Sequence, residues 1–195
     1  MIIMPAWRAR HDDLGVREAE WERHPLTASL EERARHHDRY IRTLAAKSAD
    51  EAAQVWTRAV DALMRYDIYP PRRMRARVCT PDRRVRPGCL IIQRIIAGPF
   101  AIEAAVRVVD VFRSTSGARR QGFSYVTLQG HAERGLATFS VETDPAGQAI
   151  FKIESWSCPA DRLGTLMAPL SRRIQQRFTQ EALDHFAEVV SGGHG

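Results

Sequence analysis

The sequence predicts an α+β fold in which a curved antiparallel sheet wraps around a long C-terminal helix. Three observations predict it: a capped amphipathic helix beginning at Ser48, a run of short β-rich segments broken by turn residues from Arg75 to Ser157, and a single apolar helical stripe from Leu163 to Val189.

The chain has 195 residues, 44% of them hydrophobic, enough for one domain that buries about 70% of its unfolded surface without a staple. Residues 1–36 mix charges of both signs, as in Arg17-Glu18-Ala19-Glu20-Trp21-Glu22-Arg23, around isolated Trp7, Trp21 and Leu26. They read as a charged N-terminal extension, partly helical, ahead of a single domain over residues 37–190 and a mobile tail over residues 191–195. Arg39–Leu44 has the β-rich composition of a strand leading into a helix.

That helix opens at Ser48, whose hydroxyl accepts from a first-turn amide while the Glu51 carboxylate, three residues on, reaches back to Ser48. Its apolar positions Ala52, Val55, Trp56, Ala59, Val60, Leu63 and Met64 recur at three- and four-residue spacing and form one buried face, and Pro70-Pro71 forbids continuation. From there the grammar is that of a meander, with candidate strands at 75–79, 89–97, 101–112, 120–128, 135–143 and 148–157. Turns fall at Arg86-Pro87-Gly88, Gly98-Pro99, Ser116-Gly117, Gly130 and Asp144-Pro145-Ala146-Gly147. Alternation sends Phe123/Tyr125/Thr127, Ala137/Phe139/Val141 and Phe151/Ile153/Ser155 to the concave side. The closing stripe Leu163, Leu166, Met167, Leu170, Ile174, Phe178, Ala182, Phe186 and Val189 makes a helix of about twenty-five residues, with Pro169 kinking its first turns or marking their boundary.

Strand, helix, meander and long terminal helix is the order of the helix-grip fold, shared by START domains and polyketide cyclases. The run Gly122-Phe123-Ser124-Tyr125-Val126-Thr127-Leu128-Gln129-Gly130-His131-Ala132-Glu133-Arg134-Gly135 through Phe139 resembles the central motif of the DUF1990 (UPF0548) family of unknown function. Arg107-Val108-Val109-Asp110, Glu154 to Ala160, Pro169-Leu170 and Arg172 to Phe178 are similar to the same family's signatures in the same order. The resemblance covers residues 48 to 186 and implies a helix-grip (START-like) domain. It departs at Val126, Gln129, Ala132 and Leu136-Ala137, where the family carries Gly, prolines and acidic residues, so no carboxylate site is carried over from it.

The function this implies is a module holding a small apolar or amphipathic molecule between sheet and terminal helix. Its expected lining is Arg107, Phe123, Tyr125, Thr127, Phe139, Ile153, Gln175 and Phe178. A second reading is a hydrolase- or cyclase-like enzyme with His131 as general base and Glu133 orienting it, although a loop histidine between Gly130 and Gly135 can equally tie down its turn. No Gly-x-Ser-x-Gly elbow, HExxH or glycine-rich phosphate loop supports other chemistry.

A third reading takes the basic stretch Arg65, Arg72, Arg73, Arg75, Arg77, Arg83, Arg84, Arg86 and Arg94 as a surface for nucleic acid or protein. It lacks any nucleic-acid-binding motif. The net charge of +6 is nearly all arginine, with Lys47 and Lys152 the only lysines, a bias that a GC-rich genome produces. A solvated arginine-rich face is therefore the favoured reading, and nucleic acid the less expected partner. His36-His37-Asp38, with His11 and His24, read as solvated surface, so no metal and no cofactor are expected. Cys79, Cys89 and Cys158 are unpaired by spacing and imply a reducing compartment. With no apolar run of membrane-span or signal-peptide length, the default is cytoplasmic.

Overall fold

Alternating apolar residues fold into eight antiparallel strands, and in the computed structural model the sheet carries two helices on one face and an N-terminal strap on the other. The structure describes residues 2–5, 14–27, 36–116, 118–131, 133–159 and 162–192, and their side chains except those of residues 15, 16, 97, 159 and 162–175. The elements are β1 (Ile2–Pro5), α1 (Glu18–Trp21), β2 (His36–Leu44), α2 (Ala49–Met64), β3 (Met74–Val78) and β4 (Leu90–Ala97). They continue with β5 (Phe100–Ser114), β6 (Arg120–Thr127), β7 (Glu133–Thr143), β8 (Ala149–Pro159) and α3 (Arg162–Ser191). The sheet order is β2-β8-β7-β6-β5-β4-β3, with β1 paired to the start of β5. This is the helix-grip, α+β architecture expected from the element order. Helix α3 runs through Pro169 as one segment, and of the expected mobile tail residues 193–195 lie outside the described residues.

Two local features shape the sheet. Strand β5, at 15 residues, slips register against β6 between Val108 and Asp110, which leaves Val109 43% exposed while Val108 and Val111 both turn inward. Such a bulge bends and twists a strand, and here it falls on the Arg107-Val108-Val109-Asp110 signature. In β6, an added Cβ at Gly122 would lie 2.1 Å from the Phe139 carbonyl oxygen and 2.8 Å from the Phe112 ring, so only glycine fits that crossing.

Helix α2 starts where the sequence predicts, with the Ser48 hydroxyl accepting from the Glu51 N–H at 3.2 Å. The Glu51 carboxylate reaches one residue further back than expected, accepting from the Lys47 N–H at 2.6 Å. The helix ends in a Schellman motif: Tyr66 N–H donates to Leu63 O and Asp67 N–H to Ala62 O, both at 3.0 Å. Tyr66 occupies the left-handed position with φ 64°, where glycine is usual and a bulky residue is strained by about 1–2 kcal/mol.

The concave core joins α2 (Val55, Trp56, Ala59, Leu63) and α3 (Ala182, Leu183, Phe186, Val190) to the inward residues of the strands. Phe186 is fully buried and stacked on Phe151 at 4.0 Å, and Arg58 Nε donates to the Val190 carbonyl at 2.7 Å. Phe178, about two turns earlier, is only half-buried, with the Arg73 guanidinium 5.5 Å from its ring centroid.

The N-terminal segment is more than an extension. Residues 14–27 cross the convex face, where Leu14 and Trp21 pack with Leu90, Ile92, Ala105 and Leu128. Trp21 is 2% exposed, and Leu26 bridges Leu128. Beneath this strap lies the Glu103 carboxylate, 1% exposed, bound by Arg94 at 2.6 Å, Arg17 at 2.8 Å and the Trp21 indole N–H at 3.3 Å. Burial alone would raise the Glu103 pKa, yet the arginines and the indole hold it below the usual carboxylate range. Charge-rich composition hid this packing, because Arg17 is a part-buried partner of Glu103 rather than solvated surface.

The buried pair and the gripped helix can each be tested by substitution. Glu103→Gln leaves the Arg94 guanidinium buried without its counter-charge and should lower unfolding stability by about 3–5 kcal/mol in urea titration. Phe186→Ala should cost about 3–5 kcal/mol by the same measurement and Phe178→Ala distinctly less. An equal loss at the two positions would mean that α3 is gripped along both turns alike.

Candidate functional site

Strand alternation fixes which side chains can meet a guest. Phe123 and Tyr125 of β6, Phe139 of β7 and Ile153 of β8 all turn to the concave face, as the sequence predicts, and pair across the sheet as Phe123↔Phe139 and Phe139↔Ile153. Phe123 stacks on Phe139 at 5.4 Å between centroids, and Tyr125 lies 5.4 Å from Phe139. Into this cluster the end of α2 delivers Tyr66, 6.0 Å from Phe123, 6.2 Å from Phe139 and 6.1 Å from Tyr69. The left-handed turn at Tyr66 is what swings its ring inward.

A polar group closes one side of the rings. Gln93, 2% exposed on the inner face of β4, donates from Nε2 to the Tyr66 hydroxyl at 2.7 Å, and the Tyr125 hydroxyl neighbours both. Burial pushes the Tyr66 and Tyr69 hydroxyls well above the usual tyrosine value and raises Tyr125 too, so all three are neutral donors near pH 7. The Glu133 carboxylate adds to the rise at Tyr125. Tyr69 and Tyr125 nonetheless keep part of their surface accessible. A cleft of about 520 Å³, between the α2–β3 connection, β3 and α3, includes Tyr66, Tyr69, Met74 and Val189 in its lining. A second cleft of about 510 Å³, at the start of α2 beside Trp56 and Arg119, does not touch the ring cluster.

Sequence reasoning missed Tyr66, Tyr69 and Gln93. The available signal was Gln93, a lone amide inside Leu90-Ile91-Ile92-Gln93, where a buried polar residue needs a partner.

Other expected site residues lie elsewhere. Arg107 is a correction: it projects from the convex face, donating to Glu22 Oε2 at 2.9 Å and to the Gly88 carbonyl at 3.0 Å, because its strand neighbours Val106 and Val108 are the inward residues. Thr127 shares the inner parity, but its Oγ1 accepts from the Gly135 N–H at 2.9 Å and contacts Thr27 Oγ1 at 2.8 Å, which ties strand ends together. The Gln175 side chain lies outside the described residues.

His131 Nδ1 accepts from the Glu133 backbone N–H at 3.1 Å, which puts the neutral ring's proton on Nε2. Burial pushes the imidazole down to about 4 from its usual 6.5. Glu133 contributes its backbone amide to the imidazole. In the arginine stretch, Arg65 and Arg84 pair with Asp61, Arg73 with Glu181, Arg77 with Glu18, Arg86 with Asp82 and Arg94 with Glu103. Cys79, Cys89 and Cys158 are free thiols, and burial pushes Cys79 up to about 12. Among the described residues no group of His, Cys, Asp or Glu is arranged to hold a metal, and no helix is long and apolar enough to cross a membrane.

The depressed His131 pKa has a testable sign. Because the folded protein holds His131 neutral down to about pH 4 while the unfolded chain takes the proton near 6.5, its contribution to stability is present above pH 6.5 and is lost as pH falls from about 6.5 to about 4. Melting curves across that range should show wild type losing stability relative to His131→Gln, and parallel curves would remove burial as the cause.

Known proteins share both the sequence pattern and the fold. The chain is 29% identical over 111 residues to a UPF0548 protein of Arabidopsis thaliana, an alignment covering 57% of this chain and 52% of the plant protein, so the match spans about half the length of that relative. Among solved structures, hypothetical protein jhp0584 from Helicobacter pylori superposes with a TM-score of 0.54 at 7% identity, covering 77% of this chain and 84% of that one. TTHA0849 from Thermus thermophilus gives a TM-score of 0.53 at 12% identity, covering 82% and 100%. These structural likenesses bear on the fold alone. Residues 24–185, most of the chain, match the family described as a domain of unknown function, DUF1990, and the protein belongs to that family.

Proposed function

We propose that this protein is a ligand-binding module that holds a small apolar or amphipathic molecule against the concave face of its sheet. The observation that carries this reading is the ring cluster of Tyr66, Tyr69, Phe123, Tyr125 and Phe139: desolvated enough to raise three hydroxyls, yet accessible at Tyr69 and Tyr125. Apolar walls with a few convergent polar groups are the usual make-up of small-molecule sites. The 520 Å³ cleft that includes Tyr66 and Tyr69 is of ordinary ligand size and offers a route in from the β3 edge.

A catalytic role for His131 and Glu133 is the second reading, favoured by Glu133 acting on the Tyr125 hydroxyl. Against it, the Nδ1 lone pair of His131 is engaged by a backbone amide and Nε2 carries the proton, which leaves no free base in that tautomer. The loop role is the better supported one.

Titration with the uncharged dye Nile red tests the module reading. Wild type should give saturable binding that changes little with added salt, since apolar burial drives it. Ala137→Trp, which sets an indole opposite Tyr125 on the inner face, should weaken it by about tenfold or more. No saturable binding in wild type would end the proposal.

A further inference from the structure

We infer that the concave site selects an uncharged guest bearing a hydroxyl or carbonyl group on a flat apolar body, and discriminates against the carboxylate of the same shape. The inference rests on the ligand-binding reading and adds the chemistry of its polar end.

Three side chains converge at that end: Gln93, Tyr66 and Tyr125, with Gln93 Nε2 2.7 Å from the Tyr66 hydroxyl. All are neutral. A Gln amide and phenolic hydroxyls donate to an ether, carbonyl or hydroxyl oxygen and accept from a hydroxyl, so they match a neutral polar group in both directions. A carboxylate drawn into the same place would lose its hydration and meet three neutral partners instead of a compensating cation, a costly exchange. The charge that reaches Tyr125 is that of Glu133, on the same inner face through the alternation of β7, and it repels an anion further.

The cleft's rim does carry Arg65, Arg75, Arg77 and Arg83. Arg65 is held by Asp61 and Asp67 and Arg77 faces Glu18 at 4.0 Å, so this rim already carries acidic partners outside the ring cluster. The body of the guest follows from the rings. Phe123 and Phe139 are fully buried and stacked on each other within 22° of parallel, and the ring that keeps access above them is Tyr125, tilted by 36° to Phe139, on which a flat aromatic can lie offset-stacked.

The strained Tyr66 fits this assignment. A glycine would end α2 without the left-handed cost, whereas the tyrosine bears that cost where its ring meets Phe123 and Phe139 and its hydroxyl completes the polar end.

Isothermal titration near pH 7.5 with naphthalene, 2-naphthol and 2-naphthoate separates the contributions of ring, hydroxyl and charge, because the three share one ring system. The expected result is 2-naphthol binding at least about tenfold more tightly than 2-naphthoate. Tyr125→Phe and, as an independent variant, Gln93→Met should each remove most of the advantage of 2-naphthol over naphthalene. Glu133→Gln should narrow the gap between 2-naphthol and 2-naphthoate. If 2-naphthoate binds wild type as tightly as 2-naphthol, the neutral-guest inference is overturned while the ligand-binding reading stands. If none of the three binds, the ligand-binding reading falls and takes the inference with it.

Discussion

Strands β4 and β5 are buried on both faces, and that constraint organises the rest of the molecule. Ile91, Gln93, Val106 and Val108 look inward while Leu90, Ile92, Arg94, Glu103 and Ala105 look outward, all within a few per cent of complete burial. An antiparallel sheet ordinarily leaves one face to water. Here each face has to be covered, and the two covers differ in kind. Helices α2 and α3 supply an apolar cover for the inner face. The strap of residues 14–27 supplies the outer one, anchored by a carboxylate shared between Arg94 and Arg17. A pair of that kind is seldom a net gain over apolar packing. Its role is positional, since a buried carboxylate is tolerable only with its partners in place and so fixes where the strap lies.

On the inner face the covers leave a different kind of surface. The C-terminal turns of α3 close tightly, with Phe186 against Phe151. Around Tyr66, Tyr69 and Tyr125 the packing is aromatic and includes hydroxyls and an amide that an apolar core would not need. A core built only for stability would fill this space with branched aliphatics in relaxed backbone. The left-handed tyrosine, the buried glutamine and the residual access at Tyr69 and Tyr125 are local departures from that pattern, and such departures gather where a site is kept.

Much of the fold was legible in the sequence. The Ser48 cap, the strands from residue 74 to 159 and the long terminal helix follow from hydroxyl spacing, alternation and apolar periodicity, all of which act over a few residues. Half of the candidate site was legible for the same reason, because alternation alone puts Phe123, Tyr125 and Phe139 on one face. Arg107 falls on the other side from the expected lining because Val106 and Val108, which flank it, are the inward residues. Tyr66 escaped because a bulky residue in a left-handed helix end has no local signature, and Gln93 because its partner lies 27 positions away in sequence.

The sequence by itself thus determined the elements, their order and the inward side of each late strand, since those depend on period and turn chemistry within the chain. Only the tertiary structure decided that an apparently solvated, charge-rich N-terminal stretch covers the convex face and that Glu103 is shared by two arginines. It alone also brought Tyr66, Gln93 and Tyr125 to one point. The reason is physical: whether a charge or hydroxyl is solvated or buried depends on partners that long-range packing supplies, and no local pattern encodes their identity.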